Sequence, residues 1–79
     1  MVRVKIYTTT YCGYCKRAKE LLHSKQIAFE EIDVTEDDAK REWLVQTTGL
    51  KTVPQIFIDE KPIGGYEQLV KLIKTDSLK

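Results

Sequence analysis

Apolar and polar residues alternate along residues 2–7, with the β-branched Val2, Val4 and Ile6 on one side of the segment. This period-two pattern predicts a first β-strand. Between residues 13 and 22 the apolar positions instead recur every three to four residues, which predicts an amphipathic helix. The chain is therefore expected to begin with a strand and a helix, joined by a polar connection.

The next stretch of the chain repeats the strand and helix order. Apolar positions within residues 29–34 predict a second strand. Thr35 is the predicted N-cap of a second helix, because acidic residues that interact favourably with a helix dipole follow it directly. Ala39, Trp43 and Leu44 would form the face of this helix that packs on the sheet. Short connections between strand, helix and strand predict a parallel pair of strands covered by helices.

The last third of the chain predicts two further strands and a third helix. Gly49 is expected to end the second helix. Pro54 opens a predicted strand at Gln55–Ile58, and a tight turn leads into a short edge strand at Lys61–Gly64. Residues 66–73 place apolar side chains on one helical face, with lysines towards the end. The expected order is a βαβ unit followed by a ββα unit.

Length and composition limit the class of protein. Seventy-nine residues suffice for one domain, so we expect a single domain spanning residues 1–79. With 13 Lys and Arg against 12 Asp and Glu, the net charge is +1, which is too small to hold a phosphate backbone. No apolar run exceeds three residues, which predicts neither a transmembrane helix nor a signal peptide. We therefore expect a cytoplasmic protein without nucleic-acid or membrane partners.

Cys12 and Cys15 follow the first strand directly, at the entrance of the first helix. Unpaired backbone N–H groups and the positive end of the helix dipole would stabilise a Cys12 thiolate there. The i to i+3 spacing brings the two Cβ atoms to about 5–6 Å, so small adjustments could close a disulfide. We expect Cys12 to be exposed at the junction between strand and helix. Cys15 lies on the apolar stripe and is expected to be shielded, with a higher pKa. The motif therefore predicts redox chemistry in which Cys12 attacks and Cys15 resolves.

Two other interpretations of the cysteines compete with redox chemistry. A structural zinc site needs about four ligands, and only His23 could join the cysteines, from an outward-facing position on the same helix. Inert buried cysteines fit less well, because Lys16, Arg17 and other basic residues surround the pair. We therefore expect no bound metal.

Three segments occur in a distinctive order: CGYC at Cys12–Cys15 after the strand end at 6–8, KTVP at 51–54, and GGY at 64–66. With these segments the chain resembles the glutaredoxins, a family of the thioredoxin-fold superfamily, over essentially its whole length. The resemblance implies a thioredoxin-like α/β fold with a four-stranded mixed sheet and three helices. It also implies a glutathione-dependent thiol-disulfide oxidoreductase that reduces protein disulfides and glutathione mixed disulfides.

The resemblance also implies where glutathione binds. Pro54 would be a cis proline beside the cysteines, although without the resemblance it would be an ordinary trans proline that opens a strand. Gly64 and Gly65, otherwise a turn, would let the γ-glutamyl end approach backbone N–H groups at a helix start. Arg41 would reach the glycyl carboxylate, or would be a solvated helix charge. The glutathione-binding residues implied in this way are Tyr14, Arg41, Thr52, Val53, Pro54, Gly65, Tyr66 and Glu67.

Three positions depart from the family pattern. Gly13 stands where a proline is common, which should loosen the helix start. Thr9 replaces a lysine that would stabilise the thiolate and a substrate carboxylate. Gln68 replaces the second of two acidic residues, so Glu67 alone remains for the substrate ammonium group. These departures predict weaker glutathione affinity.

The resemblance leaves other functions open. The CGYC motif is also similar to that of glutaredoxins that share a [2Fe-2S] cluster across a dimer, with Cys12 and glutathione as ligands. Mycoredoxins, which use mycothiol, are less similar because of the glycine pair and Tyr66, and redoxins that depend on thioredoxin reductase carry a segment absent from this sequence. We expect a monomeric dithiol enzyme with glutathione as reductant and glutathionylated or disulfide-containing proteins as substrates.

Overall fold

A computed structural model of the protein describes residues 3–75. Its elements are β1 Val4–Thr8, α1 Gly13–Ser24, β2 Glu30–Asp33, α2 Asp38–Thr48, β3 Gln55–Ile58, β4 Lys61–Gly64 and α3 Tyr66–Lys74. This order confirms the predicted βαβ and ββα units. Val2 of the predicted first strand and Lys79 of the terminal lysines lie outside the described residues. None of the helices in the described part is long and apolar enough to cross a membrane.

The four strands form one mixed sheet in the order β2-β1-β3-β4. β1 pairs in parallel with β2, so that Thr8 lies opposite Asp33 at the carboxyl ends of both strands. β1 and β3 are antiparallel, as are β3 and β4. The α/β class and the mixed sheet predicted from the sequence are therefore confirmed. Because β1 is central, its carboxyl end delivers the following loop to the middle of the sheet edge.

Alternate residues of β1 and β3 point to opposite faces of the sheet, and each face has its own hydrophobic cluster. Helices α1 and α3 cover an aliphatic cluster of Val4, Ile6, Ala18, Leu22, Ile56 and Leu69. Helix α2 covers a smaller, more aromatic cluster of Tyr7, Val34, Leu44 and Phe57. The first face is closed by two helices and holds α1, the helix that begins at the cysteine motif.

The start of α2 differs from the prediction, because Thr35 is not its N-cap. Asp37 caps the helix, and its Oδ1 accepts the Lys40 N–H at 2.9 Å. The Thr35 hydroxyl instead donates to Asp33 Oδ1 at 2.6 Å and accepts the Thr10 N–H at 2.9 Å. Thr35 thus ties the loop after β1 to the end of β2. The predicted end of the helix is confirmed, with Gly49 in the left-handed conformation at φ 76°.

The predicted apolar face of α2 is also only partly right. Leu44 is buried as expected, but Ala39 is exposed and Trp43 is 46% exposed. Trp43 stacks against Phe57 with a centroid distance of 5.8 Å, and its ring lies equally close to Tyr7. Trp43 therefore covers the rim of the aromatic cluster, whereas Phe57 lies inside it and is buried.

Candidate active site

Cys12 is the N-cap of α1, with the extended backbone that this position requires (φ −102°, ψ 112°). Its Sγ accepts the N–H of Cys15 at 3.1 Å, the role that a serine or threonine oxygen plays at other helices. The first turn of α1 contains no acidic residue. The Cys12 sulfur thus serves as the acceptor for an N–H group that the helix itself leaves unpaired. Cys12 is partly buried, whereas the sequence predicted an exposed position.

Cys15 lies below this sulfur on the buried side of α1 and is 1% exposed. Burial is the main cause that raises the pKa of Cys15 to about 12, and the hydrogen bond with Cys12 adds to it. The backbone of Thr9 and the charge of Lys19 act in the opposite direction. The predicted shielding of Cys15 is therefore confirmed.

The loop before β3 lies directly beside Cys12. The peptide bond between Val53 and Pro54 is cis, as the resemblance implied. The Cys12 thiol donates to the Val53 carbonyl oxygen, with an Sγ to O distance of 3.4 Å. The Val53 N–H donates no hydrogen bond to another described residue. The Val53 N–H is thus available to a bound ligand, close to Cys12, the candidate nucleophile.

The start of α3 faces the same loop. Gly65 is the N-cap of α3, and a Cβ at this position would lie 3.3 Å from the Pro54 carbonyl oxygen, so a side chain would crowd the loop. Gln68 Oε1 accepts the Gly65 N–H at 2.9 Å. The rings of Tyr14 and Tyr66 lie 5.8 Å apart and connect the helix starts of α1 and α3.

These groups enclose a cleft of about 250 Å³, which we call the Pro54 cleft. Its lining residues are Tyr14, Thr52, Val53, Pro54, Gly65, Tyr66, Glu67 and Gln68. The structure thus brings together all but one of the residues that the resemblance assigned to glutathione. Gln68 was noted in the sequence only as a departure, although its position three residues after a helix-capping glycine is a signal for a contact to the helix start.

Arg41 is the predicted binding residue that the Pro54 cleft does not include. It lines a neighbouring cleft of about 350 Å³ that shares Thr52 and Val53 with the Pro54 cleft. Its Nη1 donates to the Thr35 carbonyl oxygen at 3.5 Å, and the side chain is partly buried. Arg41 is therefore not a purely solvated helix charge, and its role towards a substrate stays a prediction.

A third cleft, of about 620 Å³, borders the cysteines on the β2 side, and we call it the Lys19 cleft. Its lining residues are Thr9, Thr10, Tyr11, Cys12, Gly13, Cys15, Lys16, Lys19, Glu31 and Asp33. Lys19 Nζ and Glu31 Oε2 form an ion pair at 2.9 Å across it. The sequence offered no signal for this pair, because α1 and β2 are brought together only by the parallel pairing of β1 and β2.

No group of three or more His, Cys, Asp or Glu side chains within residues 3–75 is arranged to hold a metal ion. His23 is exposed, as predicted, and its ring contacts Phe29 edge-on at 5.2 Å. The expectation that the protein binds no metal stays a prediction.

A cysteine at a helix start, a buried second cysteine one turn later and a facing cis proline, on a thioredoxin-like sheet, define a thiol-disulfide oxidoreductase of the thioredoxin fold. A sequence model of one family within this class, described as Glutaredoxin, matches residues 4–63. The chain belongs to the glutaredoxin family.

Individual relatives agree with this assignment. Glutaredoxin 3 of Escherichia coli strain K12 is 49% identical over 72 residues, which cover 91% of this chain and 87% of the relative. The solution structure of glutaredoxin from Brucella melitensis is 43% identical, with a TM-score of 0.83 and coverage of 99% of this chain and 88% of that one. The crystal structure of a buckwheat glutaredoxin-glutathione complex is 33% identical, with a TM-score of 0.87 and coverage of 95% and 71%. The protein is thus similar to glutaredoxins in sequence and in fold.

Proposed function

We propose that this glutaredoxin is a dithiol enzyme that uses glutathione to reduce glutathione mixed disulfides and protein disulfides. One observation carries the proposal: Cys12 Sγ lies 3.4 Å from the carbonyl oxygen of Val53, a residue that lines the Pro54 cleft. The buckwheat structure that this chain resembles was solved as a glutathione complex.

Reduction of a glutathionylated protein needs Cys12 and a second glutathione. The Cys12 thiolate attacks the glutathione sulfur, the substrate disulfide breaks, and the protein thiolate leaves with the electron pair and takes up a proton. Cys12 is then joined to glutathione. The thiolate of a second glutathione attacks this mixed disulfide, which releases oxidised glutathione and restores the Cys12 thiolate. The reaction consumes one free glutathione, because the other half of the oxidised glutathione comes from the substrate.

Reduction of a protein disulfide would also use Cys15. Cys12 first forms a mixed disulfide with one substrate sulfur, and the other leaves as a thiol. Cys15 then attacks Cys12, which releases the second substrate thiol and leaves a Cys12–Cys15 disulfide for glutathione to reduce. The spacing of one helical turn allows this closure.

The Pro54 cleft offers groups for each part of glutathione. The Val53 N–H can pair with the cysteinyl main chain in the manner of an added strand. The N–H groups of Tyr66 and Glu67 at the start of α3 suit the γ-glutamyl carboxylate, and the Glu67 carboxylate suits the ammonium group. Arg41, in the neighbouring cleft, is a candidate for the glycyl carboxylate.

We further propose that the enzyme works as a monomer in the cytoplasm on glutathionylated and disulfide-containing proteins. A dithiol that must be reduced in order to attack suits a reducing compartment. The net charge of +1 gives no support for a nucleic-acid partner.

Steady-state kinetics with two electron sources test the proposal. A glutathionylated peptide is offered with glutathione, glutathione reductase and NADPH, or with thioredoxin reductase and NADPH alone. We expect turnover in the first system and little in the second, because the Pro54 cleft is placed to hold glutathione beside Cys12. Turnover that thioredoxin reductase alone supports would overturn the glutathione dependence.

Protein purified without oxygen tests the cluster alternative. A dithiol enzyme is colourless, whereas a [2Fe-2S] cluster bridged by Cys12 of two chains is brown. We expect no visible absorbance and a monomer in size-exclusion chromatography. A brown dimer would instead support the iron-sulfur function.

A further inference from the structure

Cys15 shares the Lys19 cleft with an ion pair that the reaction steps above do not use. Cys15 and Lys19 are four residues apart on α1, so their side chains lie on the same side of the helix, with Cβ atoms about 5–6 Å apart. Both residues line the cleft, together with Glu31 from β2. The cation therefore lies one turn beyond the resolving cysteine, on the same wall.

The structure holds this cation in place. Glu31 Oε2 accepts from Lys19 Nζ at 2.9 Å and from the Thr8 hydroxyl at 2.8 Å. Thr8 is 1% exposed and belongs to the central strand, so the carboxylate is anchored to the sheet. The Lys19 hydrogen bond is the main cause that holds the pKa of the Glu31 carboxyl below its usual value. Lys19 is thus fixed beside a carboxylate that stays charged at neutral pH.

The resolving step needs help of this kind, because a buried thiol must ionise before it can attack. Burial and the Cys12 hydrogen bond raise the pKa of Cys15, and the charge of Lys19 lowers it. The titratable and charged groups that line the cleft are Tyr11, Cys12, Lys16, Lys19, Glu31 and Asp33. Among them, Lys19 combines helical proximity to Cys15 with an anchored position.

We propose that Lys19 is a positioning residue for the resolving step: its ammonium group, anchored by Glu31, favours the Cys15 thiolate and speeds its attack on a mixed disulfide at Cys12. The inference rests on the proposed dithiol function. In this step Cys15 gives its proton to solvent, and its sulfur forms a bond with Cys12 Sγ. The bond between Cys12 and the bound thiol breaks, and that thiol leaves as a thiolate with the electron pair.

A chromogenic disulfide isolates this step without glutathione. One equivalent of dithiobis(nitrobenzoate) loads Cys12 with nitrothiobenzoate and releases a first coloured thiolate. Attack by Cys15 then releases a second, whose rate is followed by stopped-flow absorbance. Cys15→Ser, which cannot resolve, provides the baseline.

We expect Lys19→Gln to slow the second release about three- to tenfold, the range of a partly screened charge interaction. Lys19→Arg should stay near the parent rate. Glu31→Gln keeps an acceptor for Lys19 and Thr8 but removes the counter-charge, so its rate should equal or exceed that of the parent. Lys40→Gln is the matched control, because it makes the same charge change at an exposed position of α2, and it should leave the rate unchanged.

The pH dependence separates an electrostatic role from a structural one. The apparent pKa of the second release should be higher in Lys19→Gln than in the parent. Equal rates and equal pH profiles for these two proteins would overturn the inference, as would equal slowing by Lys19→Gln and Glu31→Gln. A parent protein that shows no second release would contradict the dithiol function itself, whereas a release indifferent to Lys19 would leave that function standing.

Discussion

The Pro54 cleft and the Lys19 cleft are lined by different kinds of residue. The Pro54 cleft is lined by residues 52–54, Gly65, Gln68, two tyrosines and one acidic residue, Glu67. The Lys19 cleft is more than twice as large and is lined by two lysines and two acidic residues. Cys12 contacts the loop of the first cleft through Val53, and both cysteines line the second.

This difference suggests separate roles for the two clefts, one in binding glutathione and the other in the attack of Cys15 on a mixed disulfide at Cys12. Main-chain donors and acceptors can bind the peptide-like body of glutathione whatever protein is attached to it. Fixed charges next to a buried thiol contribute little to such recognition, but they change how readily the thiol ionises. We therefore expect changes in the Pro54 cleft to act on glutathione binding, and changes in the Lys19 cleft to act on steps that involve Cys15.

The cysteines themselves should show the largest effect. Cys12→Ser should lower turnover of a glutathionylated peptide by about a thousandfold or more, because no nucleophile remains. Cys15→Ser should retain this activity within about threefold, since glutathione resolves the mixed disulfide. The measurement is the glutathione-coupled rate of both variants. Substantial activity of Cys12→Ser would contradict the assignment of the nucleophile.

A methyl group at Gly65 should have the next largest effect. Gly65→Ala places a Cβ 3.3 Å from the Pro54 carbonyl oxygen, and crowding of this kind costs about 1–3 kcal/mol. We expect a lower free energy of unfolding and a KM for glutathione raised about five- to tenfold, with a smaller change in kcat. Thermal unfolding and steady-state kinetics measure the two quantities.

Gly13→Ala is the matched control for stability, because a Cβ at Gly13 has no neighbour within 4 Å. Alanine is also favoured over glycine in a helix, so this variant should be at least as stable as the parent. Equal destabilisation by the two substitutions would show that the closeness of Gly65 to Pro54 does not matter.

A negative charge at position 68 should have the smallest effect. Gln68→Glu keeps the acceptor for the Gly65 N–H and places a carboxylate near the start of α3, where the dipole favours it by about 0.3–1 kcal/mol. If the family's second acidic residue binds the substrate ammonium, the KM for glutathione should fall about two- to fivefold. Gln26→Glu, on an exposed turn, controls for net charge. An unchanged KM would mean that weaker affinity does not come from position 68.

The structure changes how the departure from the family pattern at Thr9 is interpreted, because Thr9 is buried. Thr9 is 5% exposed, and its Oγ1 has no hydrogen-bond partner among residues 3–75. A lysine at this position would have to reach solvent through the Lys19 cleft. Position 68 is therefore the better place to test the predicted weakness of glutathione binding.

The sequence by itself determined most features that depend on nearby residues. Alternation predicted β1, helical spacing predicted α1 and α3, and the αL preference of glycine predicted the end of α2 at Gly49. The placement of Cys12 at a helix start and of Cys15 on its buried face follows from the same local rules. These features are predictable because the interactions that produce them lie within one or two turns of chain.

Only the tertiary structure decided which residue caps α2 and how deeply the side chains of α2 are buried against the sheet. Thr35 resembles an N-cap locally, but Asp33 and Thr10 bind it, so Asp37 takes the role. Trp43 has the right spacing for the core, yet α2 alone covers its face of the sheet and leaves the ring at the rim. The capping residue and the exposure of Trp43 depend on which elements pack together. The spacing of residues within one element does not determine this packing.

The contacts that make the site chemically specific are of the same kind. Cys12 meets Val53 across 41 residues, and Lys19 meets Glu31 across 12. The order β2-β1-β3 places one partner on each side of the cysteine loop. The local sequence determined that a reactive thiol would lie at the start of α1. The packing of the sheet determined that main-chain groups would face it on one side and an anchored cation on the other, because only strand pairing brings such distant residues within hydrogen-bond distance.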